Sequence, residues 1–479
     1  MSRINTNVPS LVAAHVLSRN NASLNQALER LSTGLRINKG KDDPAGLIAS
    51  ETLRGEITAI RSAIDNANRA NNVLSITEGA LQEVNALMLD LEGLVDRTAN
   101  TAGLSSEEVA ANQLQIDSIL DSINRIAAST EFQGKKLLNG TLDYTTSGVT
   151  TGMTASAITH LQITSARIPA GGSRTVVVEV TQSAQTARLT YSGSSIGAGG
   201  ATLQIGGKYG TEQLSFASGT AAADIVTAVN ASKELTGVSA TYSAGAQQIY
   251  FNSTDFGSEA FVTVEAIDGT FAVTGGDSST KDYGIDVGLK INGTEATTKG
   301  LDASTRTSSL SLDMTVASTF AQTVGSTKTF SITDGGATFS IAPTLGINSM
   351  ASLGIQNVST GSLGRGNIGY LSSLGSGQTN QLTSENFETG QRIIREASKQ
   401  ISGLRGRIGA FQKNTLDSTV NALSVALENI VAAESAIRDT DFAEETSKLT
   451  RAQILVNSST AVLQLANAQP RSVLSLFGG

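Results

Sequence analysis

Apolar residues along the chain keep two different rhythms, and the changes of rhythm divide it into three zones. From about residue 5 to 140, and again from about 380 onward, they recur at the steps of three and four that mark amphipathic helices. Leu17, Leu24 and Leu31 are seven apart, with Leu28 and Leu35 on a neighbouring stripe, which predicts a narrow coiled-coil seam. Gly34 weakens that seam, and the stretch 38–44 reads as a break before a second helix. That helix carries Leu53, Ile57, Ile60, Ile64, Ala67 and Leu74, then Val84, Met88, Leu91 and Val95, and stops at 100–103. Ser105 followed by Glu108 predicts a capping box. The third helix then presents Val109, Gln113, Ile116, Leu120, Ile123 and Ala127, with its exit at Gly134 and Asn139-Gly140. In the last zone Ile394, Ile401 and Ile408 are seven apart, as are Ala397, Leu404 and Phe411. Leu416, Val420, Leu423, Leu427, Ile430 and Ile437 extend the stripe to Arg438-Asp439-Thr440-Asp441. Beyond it a seam resumes as Phe442, Leu449, Val456 and Leu463, with Ala452, Ser459 and Ala466 at the other seam position and Pro470 as the expected stop.

The middle zone follows the period of two. Thr175–Val180, Phe261–Glu265 and Thr329–Ile332 are rich in β-branched residues, with Gly and Asp turns between such runs, and 221–230 reads as one short helix. Abundant Ser, Thr and Gly also fit disorder; the recurrence of strand-like runs between turn residues favours one or two small β-rich domains. Each apolar helix stripe must be buried on another. The economical arrangement pairs the N-terminal helices with the C-terminal ones. The expected fold is therefore α+β: an antiparallel helical bundle and coiled coil made by the two ends, with a β-rich central insert leaving and rejoining one end of the bundle.

Composition sharpens this reading. The chain has 479 residues, of which 39% are hydrophobic and 4% aromatic, with no Trp and only 5 Pro. One large aromatic-rich core is not expected; thin modules, or a core completed by neighbouring chains, fit better, and few prolines permit long helices. A net charge of −8 argues against a nucleic-acid partner. The start, Met1-Ser2-Arg3-Ile4-Asn5, has no apolar leader, and no apolar run is expected to span a bilayer.

Candidate chemistry is sparse. With His15 and His160 as the two histidines and no Cys, neither a His/Cys zinc site nor a Cys nucleophile is available. The metalloprotease, nucleophile-elbow and phosphate-loop patterns are absent. Ile205-Gly206-Gly207-Lys208-Tyr209-Gly210 lacks nucleotide-loop spacing and reads as a turn; Asp42-Asp43 and Glu444-Glu445 read as caps or solvated faces. His15 is expected on a packed or interface face, and His160 near a domain junction. No enzymatic activity, cofactor or metal is expected.

Several segments carry a resemblance. Arg30-Leu31-Ser32-Thr33-Gly34-Leu35-Arg36-Ile37-Asn38 and Asp42-Asp43-Pro44-Ala45-Gly46-Leu47 resemble the N-terminal signature of bacterial flagellins. Ile76-Thr77-Glu78-Gly79-Ala80-Leu81, Thr130-Glu131-Phe132-Gln133-Gly134-Lys135-Lys136-Leu137-Leu138, Ala433-Glu434-Ser435-Ala436-Ile437-Arg438-Asp439-Thr440-Asp441-Phe442-Ala443 and the tail from Leu463 are similar to the same family. In the insert, 205–219 and 253–258 resemble β-rich repeats of flagellin inserts. The resemblance implies a filament subunit with three layers: 1–45 with 440–479 as an inner coiled coil, 46–165 with 355–439 as an outer bundle, and 166–354 as an exposed insert.

On that reading Leu17, Leu24, Leu28, Leu31, Leu35, Phe442, Leu449, Val456 and Leu463 pack the filament core. Leu53, Ile57, Ile60, Ile64, Leu91, Ile116, Leu120, Ile123, Ile394, Ile401, Leu404, Ile408, Leu423, Leu427 and Ile430 pack the bundle. The implied partners are further copies of the chain, the flagellar export apparatus and its secretion chaperone, and the filament cap and hook-junction proteins. The implied location is the extracellular filament, reached through the flagellar type III channel without membrane insertion. A hook-filament junction protein, a filament-borne enzyme and an adhesive insert are the rival readings. One departure stands out. Family members sensed by the vertebrate Toll-like receptor resemble Arg-x-Arg-Glu where this chain has Asp90-Leu91-Glu92-Gly93, so Asp90, Glu92 and Gly93 imply weak or absent activation.

Overall fold

The computed structural model describes residues 6–99, 103–148, 157–169, 172–278, 280–346, 349–366, 368–382 and 386–477, with side chains to 469. Residues 1–5, most of the expected helix stop at 100–103 and the last two residues of the tail lie outside them. Two compact units emerge: Met1–Arg69 with Ser340–Leu345 and Leu416–Gly479, and Ala70–Phe339 with Gly346–Thr415.

The first unit is helical. Helix α1 (Val8–Thr33) starts where the Asn7 side chain accepts the Ser10 N–H and ends at Gly34, whose φ of +74° is the left-handed conformation that glycine tolerates best. Helix α2 (Pro44–Thr98) contributes its first half here, with Ile57, Ile60, Ala63 and Ala67 buried and Leu53 and Ile64 half-buried. Leu423, Leu427 and Ile430 of α8 (Ser418–Arg438) are half-buried, and that helix has no fully buried residue. Helix α9 (Phe442–Phe477) runs through Pro470 rather than stopping there. The missing proline N–H removes one rung of the ladder without ending the helix.

In the second unit, the later half of α2 buries Leu74, Leu81, Val84, Met88, Leu91 and Val95. Helix α3 (Ser106–Ser129) begins with the expected Ser105–Glu108 capping box and buries Gln113, Ile116, Leu120, Ile123 and Ala127. Helix α7 (Phe387–Phe411) buries Ile394, Ala397, Ile401, Leu404 and Ile408. Ion pairs tie α7 to α2: Arg405 to Glu78 at 2.8 Å and Arg395 to Glu92 at 3.4 Å. A six-residue π-type segment, Gln412–Asp417, follows α7. The run Phe387–Arg438 is long and apolar enough to cross a membrane by length and composition, with mean hydropathy 1.3 over its best window, contrary to the sequence expectation. That window is not buried within the chain.

The β-rich part opens at Tyr144 rather than at 166, because Ile158–Ala166 pairs with Leu310–Val316 and Tyr144–Ser147 with Thr327–Gly335. Two cores are nested. In the first, a five-stranded sheet has Arg174–Gln182 between Gly288–Ile291 and Thr327–Gly335. Its alternation is clean: Val176, Val178 and Val180 are buried while Val177 and Glu179 face out. A four-stranded sheet, ending on Ile158–Ala166, shares that core through Leu312 and Met314. The second core is spliced between the adjacent strands Arg174–Gln182 and Gly288–Ile291. Two four-stranded sheets and α4 (Ala222–Ala231) enclose Leu189, Leu203, Ile205, Ile225, Val229, Ile249, Phe251, Val262 and Val264. Gly206 and Gly207 end the strand Ala201–Gly207, and Thr211 begins the next, so the Gly-rich run is a hairpin turn. The short helices α5 (Lys233–Thr236) and α6 (Ser318–Ala321) complete the order.

Asp286 joins the two cores. Its carboxylate accepts the Ser258 N–H at 2.9 Å, the Ser258 hydroxyl at 2.7 Å and the Gly300 N–H at 2.7 Å. Burial pushes its pKa up, but these donors outweigh it and hold the group below its ordinary value. A depressed folded pKa gives stability that is fully present above the unfolded value and lost as pH falls through the folded one. Asp286→Asn should therefore cost about 1–2 kcal/mol at neutral pH in denaturant melts, and the deficit against wild type should shrink as pH falls below about 4.

Candidate functional site

The site is a surface built by the ends of the chain. Helices α1 and α9 lie antiparallel: Asn7 Nδ2 donates to the Ala466 carbonyl at 2.9 Å, Asn20 Nδ2 to Ser459 Oγ at 3.2 Å, and Arg30 approaches Glu445 at 3.9 Å. Their seam keeps the heptad rule. On α1 the steps of four and three run Ala13, Leu17, Asn20, Leu24, Ala27, Leu31; on α9 they run Glu445, Leu449, Ala452, Val456, Ser459, Leu463, Ala466. The small members Ala13, Ala27, Ala452, Ser459 and Ala466 are buried, whereas Leu17, Leu24, Leu31, Leu449, Val456 and Leu463 are half-buried. Two helices cover each large side chain from one side.

Polar residues set the register. Asn20 reaches both the Leu455 carbonyl at 3.3 Å and Ser459, the way a single polar seam residue specifies alignment. Glu445 is buried at 4% exposure with Arg30 and Lys448 beside it. Periodicity counted on leucines passed over Asn20 and Arg30, and the reading of Glu445 as a cap or solvated face is corrected, since it is buried in the seam; extending the four–three rule to every residue type finds Asn20 and Glu445.

Where α1 hands over to α2 and α8 to α9, two loops form a clasp. Leu35 bridges Asp439, the Arg36 N–H donates to the Arg438 carbonyl at 2.7 Å, and the Thr440 N–H donates to the Gly34 carbonyl at 2.9 Å. Asp42 accepts the N–H groups of Asn38 and Lys39, and Asp43 caps the start of α2 by accepting the Gly46 N–H at 2.9 Å. Asp441 caps α9 through the N–H groups of Ala443 and Glu444. The backbone donors of Lys39 and Asn38 hold Asp42's pKa down against the opposing effect of burial. Asp43 is therefore a helix cap, as the sequence suggests, and Asp42 closes the turn before it. Gly46 is needed for space: a Cβ there would come within 2.7 Å of the buried Ile37 Cδ1. Arg438 adds an ion pair to Glu51 at 3.3 Å.

Two expected seam residues are not in it. Leu28 is 46% exposed, because the step from Leu24 that stays on the seam leads to Ala27. Phe442 is 57% exposed: α1 stops at Thr33, near the level at which α9 begins. Leu35 sits in the clasp instead of the helix. His15 is exposed, so no face within the chain packs it. Asp90 is exposed, Glu92 is engaged by Arg395, and a Cβ on Gly93 would meet nothing within 4 Å.

Around the seam the helices leave apolar side chains in water. On α1 these are Val8, Leu11, Val12 and Val16; on α9, Ile454, Leu455, Val462 and Leu465. An apolar groove of about 580 Å³ runs between them, lined by Val8, Val12, Val16, Leu455 and Val462 among others. Covering each such side chain contributes about 1–2 kcal/mol. A paired-helix end with an unfinished apolar surface defines a self-assembling structural subunit.

Known proteins agree. Residues 4–143 match the bacterial flagellin N-terminal helical region, 391–477 the bacterial flagellin C-terminal helical region, and 202–255 the flagellin hook IN motif. The chain is 28% identical to a flagellin of Salmonella typhimurium, 26% to polar flagellin F of Vibrio parahaemolyticus and 26% to the B-type flagellin of Pseudomonas aeruginosa, each over 99% of both chains. The chain belongs to the bacterial flagellins.

Gly46→Ala should destabilise the clasp by about 1–3 kcal/mol through overpacking against Ile37, seen as faster amide exchange at 35–41.

Proposed function

We infer that the chain is a structural subunit of the bacterial flagellar filament and that it works by self-assembly. The observation that carries this is the apolar surface beside the α1–α9 seam. It lies on the same helices that match the two flagellin regions, so the family's helical regions and the unfinished core coincide. A contact between copies that does not close generates a helical fibre. The role of a hook-filament junction piece is not favoured, since relatives matching over the whole chain are themselves called flagellins.

The finer picture is a three-layer subunit with the α1–α9 pair innermost, the helical bundle next and the nested β cores outermost, where Ser and Thr hydroxyls are available to sugars. Residues Leu28 and Phe442, unused within the chain, fit the innermost layer as contacts between copies. The half-buried apolar stripe of α8, Leu423, Leu427 and Ile430, belongs to the bundle layer and is open to contact with further copies. Export through the flagellar type III channel with a secretion chaperone, and assembly against cap and hook-junction proteins, complete the proposal. A lack of Cys suits threading of an unfolded chain, because no disulfide can close a loop. Sliding of packed helices supplies a route between supercoil forms.

Removing residues 1–40 or 440–479 should leave a soluble chain that fails to lengthen seeded filaments. In the intact monomer those same segments should exchange amide hydrogens quickly and become protected on polymerisation; a trimmed chain that still elongates defeats the reading.

The surface at Asp90 and Glu92 is acidic, with Glu92 held by Arg395. Purified monomer should therefore give weak or no signal in a Toll-like receptor reporter assay, and strong signalling would refute charge mismatch as the deciding term.

A further inference from the structure

Within the second unit, α7 and the sheet containing Asp302–Arg306 and Leu310–Val316 border a half-open cavity of about 440 Å³ lined mainly by polar and charged residues, a size typical of small-molecule sites. On α7, Glu396, Lys399, Gln400, Gly403 and Arg407 step by three and four, so they share one helix face and line the cavity together. The core-facing stripe of Ile394, Ile401, Leu404 and Ile408 occupies another face. Polar lining here is a separate use of the helix from packing.

The charges do not balance. Of the carboxylates in the lining, Asp313 is taken by Arg306 at 2.6 Å, and Glu396 and Asp302 by Arg365 at 2.5 and 3.6 Å. Lys299 is satisfied by Glu259 outside the lining at 2.7 Å. Arg407 and Lys399 are left without an ion pair among the described residues. A guanidinium offers five donors, yet Arg407 makes one hydrogen bond, from Nη1 to Thr164 Oγ1 at 3.2 Å, and its Nε is buried without an acceptor. Burial pushes the Arg407 pKa down; Asp313 and Asp143 oppose that shift without reversing it, and the charge of Arg306 adds to it. A half-buried, under-partnered guanidinium lines a cavity of ligand size, and a second cation without an ion pair stands eight residues, or two helix turns, earlier on the same face; long side chains converging from such positions can recognise an anion with several oxygens.

We propose that this cavity binds a small phosphate-like oxyanion, held by Arg407 and Lys399 from α7. The anion would tie α7 to the sheet that faces it. Gly403 supports the assignment, because a Cβ there would meet nothing within 4 Å and the space it leaves belongs to the cavity.

The test is equilibrium dialysis of the full-length monomer against radiolabelled inorganic phosphate, with ionic strength held constant by chloride. Saturable uptake of one equivalent is expected. Arg407→Gln should weaken it by about tenfold or more, the loss of one charge-assisted pair. Gly403→Met, which fills the space while keeping every charge and improves helix propensity, should weaken it comparably. Lys399→Gln, at an exposed position, should weaken it severalfold with an unchanged far-UV circular dichroism spectrum. The proposal is overturned if wild type takes up no saturable phosphate, or if Gly403→Met and Lys399→Gln both bind as wild type does. The helical-surface proposal above is untouched by either result, since filament elongation reads that surface and phosphate uptake does not.

Discussion

An antiparallel pair of helices can shield a seam from one side only, and the α1–α9 pair is such a seam. Its closest contacts are made by Ala13, Ala27, Ala452, Ser459 and Ala466, which let the backbones approach but bring little apolar area. The leucines and valines that would supply that area are half in water. Ordering each residue costs about 1–2 kcal/mol of backbone entropy, and a two-helix contact lined by alanines offsets little of it. On the proposed function, neighbouring copies provide the remainder. Marginal stability at the ends is what the proposed self-assembly would draw on, since a seam that closed fully within one chain would leave little to gain from a second.

The polar residues of the same region solve a different problem. A seam of small residues slides easily, because one alanine fits much like another. Asn20, through Ser459 and the Leu455 carbonyl, and Glu445, beside Arg30, penalise every alignment but one. The clasp fixes the alignment again at the far end, where main-chain bonds join Gly34 and Arg36 to Thr440 and Arg438. The motif residues acquire individual reasons there. Asp43 and Asp441 cap helices, Asp42 closes a turn, and Gly46 gives Ile37 its room.

Away from the ends, the chain is self-sufficient. Both β cores are filled by fully buried aliphatic and aromatic side chains, and the second is an excursion from between two neighbouring strands of the first. Such nesting keeps each module's edges short, and Asp286 supplies the joint with three hydrogen bonds from both sides. The polar cavity beside α7 belongs to this self-sufficient part. Its lining uses a face of α7 that the bundle core does not need, so packing leaves that face free to be charged.

Periodicity was enough to place the helices, because burial on one face forces an apolar residue every three or four positions. It was also enough for the strands around Val176–Val180 and Phe261–Glu265, where alternation has period two. The caps at Ser105 and the break before Pro44 were equally local and equally legible. What sequence could not supply was which face meets which. Leu28 and Phe442 have the composition of seam residues, yet their exposure depends on where the partner helix ends and on a one-residue difference in step. The β-rich part begins earlier than its composition suggests, because Tyr144–Ser147 and Ile158–Ala166 are recruited by strands more than 140 residues away. Pro470 fails to stop α9, a departure from local propensity. Pattern along a chain reports burial, which is a property of each residue; register, joints and unpaired charges are properties of pairs, and pairs exist only once the chain has folded.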